Sequence, residues 1–91
     1  MSEVNLMPDI KMYATRFCPY CMAARSLFDE LKVPFSEIAV DGDRQLREEM
    51  TRLSGARTVP QIWVGDQHVG GFTELHSLHQ NGGLTQLLSL N

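Results

Sequence analysis

The 91 residues of this chain allow one domain. A hydrophobic share of 43% with 21% charged side chains suits a folded globular core and argues against disorder. Eleven acidic against eight basic residues leave a net charge of −3 with no Lys/Arg run, so general nucleic-acid binding, which needs clustered cations, is not expected.

Residues 1–15 lack the positive start and apolar stretch of a secretory signal. The expectation is a cytoplasmic protein, monomeric and not bound to a membrane. Residues 1–8 are expected to form an N-terminal tail and residues 9–91 the domain.

Asp9 to Ala14 reads as a first strand, with Ile10, Met12 and Ala14 alternating against Lys11 and Tyr13. After Cys18 a helix follows, with Ala23, Ala24, Leu27, Phe28 and Leu31 on one face. Arg25, Asp29 and Lys32 oppose them as a solvated face, and Pro34 ends the run. Phe35 to Val40 is a second strand. "DGDR" makes a turn into a second helix, whose apolar positions Leu46, Met50 and Leu53 fall at i, i+4 and i+7, with Gly55 suited to the left-handed position beyond its end.

"QIWV" and "QHV" flank Gly65-Asp66 and predict an antiparallel hairpin with a two-residue turn. Past Gly70-Gly71, a third helix is expected to start at Thr73 and stop at Asn81-Gly82, and "LTQLLSL" to form a short last helix. The order βαβαββα plus a C-terminal helix predicts an α/β fold. The strand–helix–strand unit favours a parallel pair and the hairpin closes a four-stranded mixed sheet flanked by helices.

The chain's two cysteines, Cys18 and Cys21, stand where the first strand gives way to the first helix. Pro19 suits the first helical position, since its missing N–H has no intrahelical partner to lose. Cys18 then sits at the N-cap or just before it, facing free backbone N–H groups and the positive end of the helix dipole, both of which favour a thiolate. Cys21, three residues on, lies on the same side of the first turn and is less exposed. Cys18 is therefore the expected nucleophile and Cys21 the resolving thiol. A purely structural buried pair is one rival. A zinc site is another, but beyond the pair the chain offers only His68, His76 and His79, without the spacing of a partner knuckle; no metal is expected.

"CPYC" at Cys18 to Cys21, "TVP" at Thr58 to Pro60 and Gly70-Gly71, in this order and spacing, resemble the dithiol glutaredoxins of the thioredoxin superfamily, in particular the short bacterial ones. The resemblance covers nearly all of the chain from Asp9 and implies a thioredoxin fold and a glutathione site. Tyr20 would line the tripeptide groove, Pro60 would be cis, and Val59 would pair its backbone with the glutathione cysteine, with Thr58 beside it.

After Gly71 the family commonly places a small residue, Ser or Asp, and then Asp, whereas this chain has Phe72, Thr73 and Glu74. Amides at the helix start still suit the γ-glutamyl carboxylate, and Thr73 offers a hydroxyl. Glu74 either pairs with the γ-glutamyl amine or serves the helix start. Where relatives often carry a lysine ahead of the motif stands Thr15, with Arg16 next to it. Arg47 is then the expected partner of the glycine carboxylate, although a solvated helix face would explain it equally. Trp63 is expected in the core, and Phe72 is left open.

The implied activity is glutathione-dependent thiol–disulfide exchange, on glutathionylated proteins and on protein disulfides, with glutathione as reductant. A reductase-coupled redoxin of the same fold and a module holding an iron–sulfur cluster between two chains are the alternatives.

Overall fold

A computed structural model of the chain describes residues 8–88. The expected tail therefore lies outside the described residues except for Pro8, as do positions 89 and 90 of the expected last helix. The elements run β1 (Ile10–Ala14), α1 (Pro19–Leu31), β2 (Ser36–Ala39), α2 (Arg44–Ser54), β3 (Gln61–Val64), β4 (Gln67–Gly70), α3 (Phe72–Gln80) and α4 (Gly83–Leu87). The strands form one mixed sheet in the order β2-β1-β3-β4, with β1 parallel to β2 and both the β1–β3 and β3–β4 pairs antiparallel.

Both faces of this sheet are covered. On one, Met12, Ala14, Ile62 and Val64 meet Cys21, Ala24 and Phe28 of α1, Leu75 of α3 and Leu84 of α4. On the other, Tyr13, Val40 and Met50 form a smaller cluster, with Leu46 and Trp63 packed against it. Tyr13 was expected to face outward beside Lys11, yet it is fully buried. A central strand flanked by β2 and β3 has no solvent face once α2 lies over it. Trp63 is half-buried and meets the Tyr13 ring edge-on, with centroids 5.5 Å apart.

Helix ends follow local chemistry, and the start of α3 and the burial of Leu53 differ from expectation. Helix α1 ends at Leu31, before Pro34, because Lys32 takes the left-handed conformation and closes the last turn through its N–H to Phe28 and Asp29. Leu53 is 54% exposed instead of buried: in the last turn of α2 it overhangs a cleft with Lys11, Trp63 and Asp66. Helix α2 starts where Asp43 accepts from the Leu46 N–H at 3.0 Å and ends at Gly55, with φ 77°. Helix α3 starts at Phe72, not Thr73, because Glu74 reaches back to the Gly71 N–H at 2.8 Å and fixes Gly71 as the cap.

Candidate active site

Strand β1 delivers the chain to one end of the sheet, and Thr15 to Phe17 carry it into the N-cap of α1. Cys18 is that cap, with extended backbone (φ −79°, ψ 123°) and a side chain that caps no amide. Its sulfur instead lies among the donors of the first turn. Burial by itself would raise the thiol pKa, but the backbone N–H of Cys21, the Cys21 thiol, the backbone N–H of Tyr20 and the charge of Arg25 outweigh it, so Cys18 is held below the ordinary cysteine value. Cys21 behaves oppositely. It is completely buried, and burial together with the neighbouring Cys18 sulfur pushes its thiol up to about 11.

The cation that acts on this pair is Arg25. It was expected on a solvated face, but its guanidinium is largely enclosed: Nε donates to Glu37 Oε1 at 2.8 Å, and Nη2 donates both to Glu37 Oε2 at 2.5 Å and to the Thr15 carbonyl at 2.9 Å. The sequence signal was its place one turn after Cys21. Its acidic partner on β2 became visible only once β2 lay beside β1. Arg16, the cation adjacent to the motif, turns away and binds Asp41 at 2.9 Å, holding that carboxyl below its usual range.

Across from the thiols, the Val59–Pro60 peptide is cis and the Val59 carbonyl lies 3.7 Å from Cys18 Sγ. Thr58 is held from inside by Gln61, a buried side chain that sequence reasoning passed over. Its amide nitrogen donates to the Thr58 carbonyl at 3.0 Å and reaches the Thr58 hydroxyl at 3.3 Å. With its nitrogen so engaged, the Gln61 oxygen accepts from His68 Nε2 at 2.8 Å.

Tyr20, Thr58, Val59, Pro60, Gly71, Phe72, Thr73 and Glu74 line one groove of about 260 Å³. Three separate stretches thus meet: the start of α1, the loop into β3 and the start of α3. The start of α3 lines this groove, and the first-turn amides of a helix have no intrahelical acceptor. A side chain at Gly70 or Gly71 would crowd it, since a Cβ at Gly70, with φ 117°, would come within 3.0 Å of Glu74 Oε1, and one at Gly71 within 3.4 Å of the Pro60 carbonyl. Phe72 is half-buried and stacks on His76, with centroids 5.5 Å apart. One expected member is set apart: Arg47 lines a neighbouring cleft and donates to the Arg57 carbonyl at 3.1 Å, which joins it to the groove through the chain at Arg57-Thr58.

A glutaredoxin family model matches residues 10–69. The chain belongs to the glutaredoxin family. It is 49% identical over 83 residues to a glutaredoxin of Pseudomonas aeruginosa, covering 91% of this chain and 99% of that one. With glutaredoxin 3 of Escherichia coli K12 it shares 43% over 82 residues, covering 90% and 99%. Among solved structures, the solution structure of a Brucella melitensis glutaredoxin superposes with a TM-score of 0.80 at 40% identity, covering 90% of this chain and 89% of that one. The buckwheat glutaredoxin–glutathione complex superposes with a TM-score of 0.82 at 27% identity, covering 93% and 79%. The chain is accordingly a glutathione-dependent thiol–disulfide oxidoreductase with Cys18 and Cys21 as its cysteine pair and a thioredoxin fold. Among the described residues, no helix is long and apolar enough to cross a membrane.

Proposed function

We propose that the domain spanning residues 9–91 acts in the cytoplasm as a monomer, and that Cys18 is its nucleophile and Cys21 its resolving thiol. The observation that carries this is the divergence of the pair: one half-exposed thiol lowered by helix-start amides and Arg25, one fully buried thiol raised to about 11. A nucleophile must be a thiolate within reach of its substrate, whereas a resolving thiol has only to attack its neighbour.

On a glutathionylated protein, the Cys18 thiolate attacks the glutathione sulfur. A Cys18–glutathione disulfide forms, and the protein thiolate leaves and takes a proton. A second glutathione thiolate then attacks the glutathione sulfur of this mixed disulfide, releasing oxidised glutathione and restoring the Cys18 thiolate. On a protein disulfide, Cys18 forms a mixed disulfide with the protein, and Cys21, giving up its proton, attacks the Cys18 sulfur. The protein dithiol departs and a Cys18–Cys21 disulfide remains, which two glutathiones reduce.

In this reading glutathione occupies the 260 Å³ groove. Val59 pairs its backbone with the tripeptide at Thr58–Pro60, and Tyr20 covers one side. The amides at Phe72 and Thr73, with the Thr73 hydroxyl, take the γ-glutamyl carboxylate. One Glu74 oxygen is occupied by the Gly71 N–H, so the side chain serves the helix start first, and its second oxygen is the one left to meet the γ-glutamyl amine. Arg47 spends one N–H on Arg57, and its remaining donors suit the glycine carboxylate at the far end.

The test separates the thiols by reaction. Cys21→Ser should keep deglutathionylation and lose most protein-disulfide reduction, which depends on the high effective concentration of an intramolecular attacker. Cys18→Ser should lose both. An active Cys18→Ser, or a Cys21→Ser variant inactive on both substrates, would overturn the assignment.

A further inference from the structure

Four of the chain's eight basic side chains, Arg44, Arg47, Arg52 and Arg57, line a single cleft of about 430 Å³ together with Glu48 and Thr51. Among the described residues the ion pairs are Arg16–Asp41 and Arg25–Glu37, so no carboxylate among those residues lies within ion-pair distance of these four arginines. Glu48 is spaced four residues from both Arg44 and Arg52, the register in which a helix forms such pairs, and it pairs with neither. Arg44 is moreover the first residue of α2, and no acid lies in that turn; a cation there opposes the helix dipole. Asp43 caps the helix start beside Arg44, and Arg47 bonds the Arg57 carbonyl, but the four charges still stand together in a chain of net charge −3. Such a surface raises the local concentration of anions and steers them.

The cleft also adjoins the redox groove. Arg47 donates to the Arg57 carbonyl at 3.1 Å, and Arg57 is bonded to Thr58, which lines that groove. A ligand seated here can therefore belong to the same molecule whose sulfur is attacked by Cys18, and its second contact is then favoured by effective concentration. Planar guanidinium groups with free N–H donors match carboxylates in two-point hydrogen bonds.

Resting on the function proposed above, we propose that this cleft docks an acidic segment of the client protein, an Asp/Glu-rich stretch near the cysteine that carries glutathione. Selection among clients would then come from charge outside the glutathione groove, acting on encounter and binding rather than on the sulfur exchange.

The test uses two glutathionylated peptides with the same cysteine core, one carrying an Asp/Glu stretch and the other Gln and Ser at those positions. Binding is read by fluorescence anisotropy on the Cys18→Ser protein, and turnover on the protein with both cysteines. The acidic peptide should bind about three- to tenfold tighter at low ionic strength, its kcat/KM should rise through KM, and both preferences should fade at high salt. Arg44→Glu with Arg52→Glu should abolish or reverse the preference, read as the ratio of kcat/KM for the acidic peptide to that for the neutral one. Arg44→Gln with Arg52→Gln, which leaves no new charge on α2, should abolish it too. Equal binding of the two peptides, or a preference that survives both double variants, overturns the proposal. So does a cleft that binds inorganic tripolyphosphate yet shows no peptide preference. A protein that binds the acidic peptide tighter but turns over neither would refute the redox reading and leave the docking intact.

Discussion

Arg25 of α1 and Glu37 of β2 form a two-point ion pair, with N–H···O distances of 2.8 and 2.5 Å, behind the cysteine pair. A third bond, from Arg25 to the Thr15 carbonyl, fixes the chain entering Cys18. The pair holds a guanidinium where it lowers the Cys18 thiol without itself facing the groove. Replacing Arg25 with Gln should raise the Cys18 pKa and slow its alkylation at neutral pH by a factor of a few, while Arg25→Lys should recover most of the rate. Iodoacetamide kinetics across pH check this; an unchanged profile would leave the helix-start amides as the sole cause.

The two thiols should also be separable in time. With Cys21 pushed up to about 11 and completely buried, the reduced protein should take one alkyl group at neutral pH, on Cys18. The second should come only under strongly alkaline or denaturing conditions. Intact-mass measurement followed by peptide mapping gives the order, and simultaneous labelling would contradict the environments described for the pair.

Arg47 tests the far end of the groove. Arg47→Ala removes both its bond to the Arg57 carbonyl and its remaining donors, so KM for a glutathionylated peptide should rise roughly three- to tenfold with kcat little changed. That corresponds to roughly 1 kcal/mol for a charge-assisted contact at a rim partly screened by water. Steady-state kinetics decide, and an unaltered KM would return Arg47 to the solvated helix face.

Tyr13 concerns stability. Its hydroxyl donates to Glu49 at 2.6 Å, and burial, followed by that carboxylate, pushes its pKa up to about 12. Folding therefore favours the protonated phenol. The stability this contributes is complete below the unfolded value of about 10 and is lost as pH rises through about 12. Tyr13→Phe should cost about 0.5–1.5 kcal/mol at neutral pH, and its deficit against the native chain should shrink between those two values. Urea titrations at neutral and alkaline pH measure both.

The sequence by itself determined the element order, the hairpin at Gly65-Asp66 and Cys18 at a helix start, because each rests on local chemistry, and the groove-lining set from Tyr20 to Glu74 through its motif resemblance to the family. Examples are a proline at N1, glycines at turns, side-chain periodicity and a run of motifs in fixed order. Tertiary structure decided what depends on residues far apart in the chain. Tyr13 is buried because α2 closes the second face of a strand whose alternation looked half-exposed. Arg25 acts on the thiols because β2 brings Glu37 beside it. Gln61 holds Thr58 because it points inward from β3. Arg47 stands in a separate cleft because its guanidinium finds the Arg57 carbonyl. Helical or strand spacing tells which side chains share a face, but the partner waiting on that face is set by how the layers pack, and charge and burial at a site follow the partner.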